Sequence, residues 1–333
     1  MDMTAKQELN FIVCGGAGIN IAKLLKTSSP SDRVKNASYV ALDASGNNRL
    51  PEELGIPLER VPASGNPQQL AQGSGKVKST NYAEAQPFVE RVMNKYTPGV
   101  FNVVVCSGAG GSGSMLATLV VRWLKQNGHS VVLAIITDHT TQVEMENSIR
   151  TVQSMAIQAQ PNYLNSTIGY MEFRNIPEKT RGQIDKEVIN KISLFSLFAS
   201  QDNDEQDISD LANILNCSKF YGVPPVLSHI SFYDDPTKYK AATPVATVSL
   251  FDNKDNISAT FPGAVVRSTG VFAKNTVLPG EITQLHMLFD HGETTAKLQE
   301  QLDELTKRKS INQGVYVPQK DMSAGADANG VLL

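Results

Sequence analysis

The chain has 333 residues, of which 41% are hydrophobic, so we expect one large or two moderate domains with an ample core. A formal net charge of −3 argues against a broad nucleic-acid surface, and no direct sequence-specific nucleic-acid binding is expected. No apolar run reaches the roughly 18 residues of a membrane span, and the start lacks the apolar core of a signal peptide. Cys14, Cys106 and Cys217 lie far apart, which indicates a reducing, cytoplasmic setting without a membrane partner.

Strands and helices alternate in the first half of the chain. Apolar runs predict strands at 9–14, 38–42, 100–106 and 130–136. Helices are predicted between and after them at 20–27, 82–95, 114–126 and 142–158. This alternation predicts a doubly wound parallel sheet, whose functional loops gather at the carboxyl ends of the strands.

The second half changes character. A helical stretch at 181–199 precedes a polar segment at 200–210. Residues 226–290 contain β-branched runs, which predict a smaller mixed sheet. A charged helix follows at 293–309, and the small and polar residues after it predict a flexible tail.

A glycine loop, Ser-Gly-Ala-Gly-Gly-Ser-Gly-Ser at 107–114, directly follows an apolar strand and precedes a helical run. Its four glycines leave the backbone free to take positive φ, and its serines add hydroxyl donors. Such a loop turns amide N–H groups toward one point, where the helix N-terminus adds positive charge. The loop therefore predicts a phosphate site that needs no lysine. A Walker loop needs Gly-Lys-Ser/Thr and is excluded because Ser114 and Met115 follow Gly113. The dinucleotide fingerprint fits the first strand only in part, because Ile21 replaces its third glycine.

Several motifs, in order along the chain, resemble the tubulin/FtsZ superfamily. Residues 109–114, Ala-Gly-Gly-Ser-Gly-Ser, are similar to its signature small-Gly-Gly-Thr-Gly-small-Gly, with serine for threonine and Met115 for the final glycine. The stretches 15–20, 42–44 and 73–76 resemble its first three nucleotide loops in the expected order. The chain length and the C-terminal helix with its tail resemble the phage-encoded tubulins of the PhuZ type.

The resemblance implies a guanine nucleotide, GTP or GDP, with Mg²⁺ held by phosphate and water and no metal ligand assigned to a protein side chain. The implied nucleotide-binding residues are Gly15, Gly16, Ala17, Gly18, Asn20, Asp43, Gly73, Gly75, Gly108, Ala109, Gly110, Gly111, Ser112, Gly113, Ser114, Thr137, Glu144, Glu146, Arg150, Asn175 and Asn190. Of these, Glu144, Glu146 and Arg150 are expected near the ribose, although a surface ion pair also explains the last two. Asn190 or Asn175 is expected to pair with the guanine, with Asp185 as an alternative.

The acidic segment at 202–210 supports two interpretations. Its charge alone predicts a solvated loop with acids at a helix N-terminus, which the helix dipole favours. The resemblance implies that the loop enters the nucleotide pocket of the next subunit, where Asp207 and Asp210 orient the attacking water. Asp204 and Asp207 have the same spacing and remain the alternative pair.

The implied fold is α/β with six parts. These are a nucleotide-binding GTPase domain at 1–180, a central helix at 181–200, a catalytic loop with its following helix at 201–225, a mixed α+β domain at 226–292, a C-terminal helix at 293–310 and a flexible interaction tail at 311–333. The implied function is a GTPase that polymerises into dynamic cytoplasmic filaments, with its tail on the neighbouring subunit, and positions phage DNA in the infected bacterium. An NAD-binding α/β oxidoreductase, in which Asp43 would bind ribose, and a non-hydrolysing nucleotide-dependent scaffold remain alternatives.

Overall fold

Strands and helices alternate through most of the chain in the computed structural model, which describes residues 8–63, 66–71, 81–200, 203, 205–239, 244–258, 261, 263–274, 276, 282–311 and 331. The strands of the described residues are β1 (Leu9–Cys14), β2 (Ser38–Asp43), β3 (Leu58–Arg60), β4 (Pro62–Ala63), β5 (Asn66–Leu70), β6 (Phe101–Ser107), β7 (Ser130–Asp138), β8 (Ile168–Asn175), β9 (Leu227–Tyr233), β10 (Ala246–Phe251), β11 (Val266–Val271) and β12 (Gln284–Asp290). The helices are α1 (Gly15–Ser28), α2 (Asp32–Asn36), α3 (Tyr82–Lys95), α4 (Ser112–Gln126), α5 (Gln142–Ala159), α6 (Arg181–Phe198), α7 (Ile208–Ile214), α8 (Cys217–Phe220) and α9 (His291–Ile311).

One ten-stranded sheet has the order β11-β10-β12-β9-β8-β7-β6-β1-β2-β3. Within this sheet, the neighbouring strands β9-β8-β7-β6-β1-β2-β3 all pair in parallel, which confirms the predicted doubly wound arrangement. β12 runs antiparallel to both β9 and β10, so the C-terminal part of the sheet is mixed, as expected. The pairing of β8 with β9 makes the two parts continuous, and the six-part division of the chain stays a prediction.

The core lies on both faces of this sheet because side chains of a strand alternate between faces. Phe11 and Val13 of β1 pack in the cluster that includes the apolar side of α6. Ile12 and Cys14, their neighbours in sequence, pack in the cluster that includes the apolar residues of α3 and α4. These strands are buried on both faces, and the carboxyl ends of β1, β6 and β7 lie at the same edge of the sheet.

β8 and α1 are two of the elements that differ from the sequence expectation. β8 pairs with β7 on one side and, through residues 168–170, with β9 on the other, and the apolar pattern did not predict it. α1 begins at Gly15, five residues earlier than expected, because the first glycine motif forms the opening turn of the helix. Gly73, Gly75, Asp204 and nearly all of the tail lie outside the described residues, so their predicted roles stay predictions. None of the described helices is both long and apolar enough to cross a bilayer.

Candidate functional site

Two helix N-termini meet at the shared edge of β1 and β6. α1 begins directly after Cys14 and α4 directly after Gly111, and neither helix has a side-chain cap or an acid in its first turn. By contrast, Thr141 caps α5 and Thr180 caps α6 through their side chains. The first amides of an uncapped helix lack intrahelical partners, and the helix dipole adds positive charge to them. The two N-termini together therefore form an anion site.

A cavity of about 330 Å³ opens at these N-termini. It is lined by Cys14, Gly15, Gly16, Ala17, Asp43, Ser107, Ala109, Gly110, Gly111, Ser112, Gly113, Asp138, Glu144 and Arg181. The Ser112 hydroxyl is buried there and has no hydrogen-bond partner within the described part of the chain. A donor left in this state is available to a ligand oxygen. Both predicted glycine loops thus contribute to one cavity.

Close approach explains the glycines at the centre of this cavity. A Cβ on Gly15 would lie 2.7 Å from Gly113 Cα, and one on Gly113 would lie 2.9 Å from the Cys14 carbonyl oxygen. Both glycines are needed because the two helix N-termini touch backbone to backbone. Gly15 has a φ of +71°, but the described glycines of the 107–114 loop do not have positive φ. The expectation of positive φ in that loop was therefore wrong, and at Gly113 it is close contact with the Cys14 carbonyl oxygen that requires glycine.

Helix α5 and Ser114 hold the glycine loop from behind. The Thr151 hydroxyl donates to the Gly108 carbonyl oxygen at 2.8 Å, and Asn147 Nδ2 donates to the Ala109 carbonyl oxygen at 3.3 Å. The Ser114 hydroxyl is buried and donates to the Gly111 carbonyl oxygen at 3.1 Å. Its hydroxyl stabilises the loop and does not line the cavity, so the nucleotide-binding role of Ser114 stays a prediction. Gly108 likewise packs behind the loop, where a Cβ would lie 3.3 Å from Ser148 Cα.

A smaller cavity of about 80 Å³ adjoins the first. It is lined by Ala17, Asn20, Ser107, Ile136, Asp138, Asn175, Arg181, Ile184 and Asp185. Asn20, Asn175 and Asp185 bring amide and carboxylate groups that can pair with the edge of a purine base. Asn175 Nδ2 also donates to Asp138 Oδ2 at 2.8 Å. The two cavities together match a ligand with an anionic end and a planar, hydrogen-bonding end.

The charges around the cavities are set by burial and local hydrogen bonds. Burial raises the pKa of Asp185, and the nearby positive charge of Arg181 opposes that rise. Burial would also raise the pKa of Asp138, but hydrogen bonds from Thr140 and Asn175 outweigh it and lower the value. Asp43 is buried and accepts a hydrogen bond from Asn48 Nδ2 at 2.6 Å. Asp138 therefore stays ionised at neutral pH beside the anion site.

Several predicted site residues lie elsewhere. The buried Thr137 hydroxyl donates to Glu172 Oε1 at 2.9 Å and lines neither cavity, so its predicted ligand contact stays a prediction. Glu146 pairs with Arg150 at 3.6 Å and with Lys309 of α9 at 3.3 Å. It follows Glu144 by two residues, which rotates it about 200° around the helix, away from the cavity.

Asn190, predicted to pair with the base, and Gly18, predicted to bind the nucleotide, also lie outside both cavity linings, and their roles stay predictions. Asn190 is exposed and does not line either cavity. It follows Asp185 by five residues on α6, so the two side chains leave the helix about 140° apart. Asp185, the alternative, is the one in the cavity. Gly18 packs under α1, where a Cβ would lie 2.7 Å from the Val105 carbonyl oxygen.

The predicted catalytic acids cap α7 and lie outside both cavities. Asp207 Oδ1 accepts from the Ser209 amide at 2.9 Å, and Asp210 Oδ2 accepts from the Asp207 amide at 3.4 Å. This reciprocal capping box satisfies two amides at the helix start. Asp207 is exposed and Asp210 half-buried, so both carboxylates are accessible to a second molecule. Their catalytic role in a neighbouring subunit stays a prediction.

Sequence reasoning missed Asp138 and Arg181, which line both cavities. Each had a usable signal: Asp138 ends β7 at the functional edge of the sheet, and Arg181 begins α6. Within the described ranges, no group of three or more His, Cys, Asp or Glu side chains is arranged to hold a metal ion.

Comparison with known proteins gives relatives in two bacteriophages. The chain is 21% identical over 273 residues to a phage tubulin-like protein of Pseudomonas phage phiKZ, covering 80% of this chain and 81% of the relative. It is 24% identical over 269 residues to a phage tubulin-like protein of Pseudomonas phage PhiPA3, covering 80% of each. No family model matches the chain.

Solved structures with the same fold include phage tubulins. The PhuZ201 filament superposes with a TM-score of 0.79 at 17% identity, covering 98% of this chain and 99% of that one. The phage tubulin PhuZ with GDP superposes with a TM-score of 0.77 at 18% identity, covering 98% of this chain and 99% of that one. The predicted resemblance is therefore confirmed: the chain has the fold of the tubulin/FtsZ superfamily and is similar to its phage-encoded tubulins.

Proposed function

We propose that the chain is a GTPase that polymerises into filaments. The observation that carries this proposal is the pair of uncapped helix N-termini, which meet at one cavity beside a second cavity lined by amides and a carboxylate. The first arrangement suits phosphates and the second a guanine base. The similarity to a phage tubulin solved with GDP supports the same ligand.

Different residues of the two cavities bind different parts of the nucleotide. The amides of residues 15–17 and 109–113 hold the phosphates, and the unpartnered Ser112 hydroxyl adds one donor. Mg²⁺ is held by phosphate oxygens and water, and its positive charge offsets the negative charge of the carboxylates around the cavity. Glu144 lies on the ribose side, and Asn20, Asn175 and Asp185 pair with the base.

Hydrolysis depends on a second subunit. Asp207 and Asp210 are accessible, yet they lie outside the cavities of their own subunit. In the proposed filament they enter the nucleotide face of the next subunit, where one carboxylate orients the attacking water as a general base. Assembly therefore switches on turnover, and the tail at 311–333 strengthens the contact by docking on the neighbour.

We place these filaments in the cytoplasm of an infected bacterium, where they position phage DNA. The support is the similarity to proteins of two Pseudomonas phages and to a phage tubulin filament. Direct sequence-specific binding to nucleic acid is not part of the proposal, because the net charge is −3.

Equilibrium binding of GTP, ATP and NAD to the full chain tests the proposal. We expect GTP to bind and ATP to bind at least tenfold more weakly, because a carboxylate such as Asp185 accepts from guanine and repels the adenine edge. Tight binding of NAD without GTP binding would support the oxidoreductase. GTP binding and assembly without phosphate release would support the scaffold.

A further inference from the structure

Arg181 lines the candidate site but belongs to neither the glycine loops nor the acidic segment. It is the first residue of α6, it is exposed, and it lines both cavities where they adjoin. The other charged residues described in the two linings are all acids: Asp43, Asp138, Glu144 and Asp185. A nucleotide polyphosphate that enters these cavities therefore meets one cationic side chain among the described residues.

The start of α6 is capped, unlike the starts of α1 and α4. The Gln183 amide donates to Thr180 Oγ1 at 3.3 Å, and the Thr180 amide donates to Gln183 Oε1 at 2.7 Å. This capping box uses donors that remain open at α1 and α4. At this helix start a charged side chain, that of Arg181, lines both cavities.

We propose that Arg181 is a nucleotide-contacting residue that binds the phosphate end of a guanine nucleotide from the side opposite the glycine loops. This inference rests on the proposed function and adds a recognition residue to it. A guanidinium presents several N–H donors in a fixed plane and forms strong, charge-assisted bonds to phosphate. Two helix N-termini on one side and Arg181 on the other would enclose the polyanion.

Arg181 also acts on the base side of the site. Its charge opposes the rise that burial imposes on the pKa of Asp185, four residues later on the same face of α6. An ionised Asp185 accepts hydrogen bonds, as pairing with guanine requires, whereas a protonated one would also donate. Arg181 thus supports both ends of the ligand from one helix turn.

The test compares three variants by equilibrium binding of GTP, GDP and guanosine. Arg181→Gln removes the charge and keeps a planar polar group, and Arg181→Lys keeps the charge. Lys186→Gln is the matched control, since Lys186 is an exposed cation of the same helix that lines neither cavity. Thermal denaturation without ligand checks that each variant is folded.

We expect Arg181→Gln to weaken GTP and GDP binding by about 10- to 100-fold, the range for one lost charge-assisted contact. Guanosine binding should fall less than threefold, Arg181→Lys should recover part of the loss, and Lys186→Gln should bind like the wild type. Unchanged GTP affinity in Arg181→Gln, or an equal loss for guanosine, would overturn the inference. Failure of the wild type to bind GTP would instead overturn the proposed function.

Discussion

Alanine substitutions at two glycines of the same loop distinguish an effect on ligand binding from an effect on the stability of the fold. A Cβ on Gly110 meets the Ser107 carbonyl oxygen at 4.0 Å and no closer atom. A Cβ on Gly113 meets the Cys14 carbonyl oxygen at 2.9 Å and Gly15 Cα at 3.2 Å, both of which are backbone atoms. Gly110→Ala therefore changes the lining of the cavity, whereas Gly113→Ala pushes the two helix N-termini apart.

The two substitutions have different expected magnitudes. Gly110→Ala should fold normally and lose a phosphate contact, and at about 1.5–3 kcal/mol for a hydrogen bond to a charged group this weakens GTP binding about 10- to 100-fold. Gly113→Ala should destabilise the ligand-free protein by about 1–3 kcal/mol, the usual cost of overpacking. Gly46→Ala is the control, because a Cβ there meets no atom within 4 Å and Gly46 does not line the cavity.

Thermal denaturation without nucleotide and titration with GTP measure the two effects on the same samples. The expected pattern is a normal melting temperature with weak binding for Gly110→Ala, and a lowered melting temperature for Gly113→Ala. If Gly110→Ala binds GTP like the Gly46→Ala control, the loop does not hold the phosphates and the site assignment fails.

Three further predictions concern other parts of the chain. Asp210→Ala should keep GTP binding and lower the rate of GTP hydrolysis by the assembled protein by roughly 10²- to 10⁴-fold, as for loss of a general base. If only Asp204→Ala lowers that rate, the catalytic pair is Asp204 and Asp207 instead. Buried Lys125 donates to the Leu215 carbonyl oxygen at 3.2 Å, and burial lowers its pKa from 10.5 to about 7. Between those values the unfolded chain binds a proton that the folded chain lacks, so this lysine makes stability rise with pH, by at most about 1.4 kcal/mol per unit. Denaturant unfolding of Lys125→Met at pH 7 and pH 9 should show a smaller rise than the wild type, and an equal rise would refute the assigned pKa. Deleting residues 311–333 should raise the critical concentration for assembly and leave GTP binding by the monomer unchanged; an equal critical concentration would remove the tail from the mechanism.

The sequence was sufficient to predict most of the parallel sheet and the edge at which the candidate site lies. Runs such as 101–106 are apolar on both faces because parallel strands are covered by helices on both sides. Glycines that follow such runs mark the functional edge, and the structure brings both glycine loops to one cavity there. These features depend on short stretches of chain, which is why local patterns predict them.

Long-range contacts decided what local patterns did not predict. β8 contains Gly169 and Glu172, which interrupt its apolar run, yet Glu172 is buried and receives hydrogen bonds from Thr137 at 2.9 Å and Gln301 at 2.8 Å. Those partners lie 35 and 129 residues away in sequence. The contact between Gly15 and Gly113 is of the same kind, since neither glycine reveals its partner in the sequence.

Helix register determines which of the predicted residues on α5 and α6 line the cavities. Glu144 and Asp185 line the cavities, whereas Glu146 and Asn190, which are equally polar, do not. An error of two or five residues turns a side chain to another side of the helix. The sequence predicted a phosphate-binding glycine loop, but which side chains of α5 and α6 line the cavities could be seen only in the structure.

Assembly and phosphate release, measured together across a range of protein concentrations with GTP, test the central claim most directly. The account predicts that light scattering and phosphate release begin at the same critical concentration, since the water-orienting acid comes from the next subunit. NAD in place of GTP should produce neither signal. Phosphate release that is proportional to protein concentration well below the onset of scattering, or scattering that does not depend on GTP, would contradict the account.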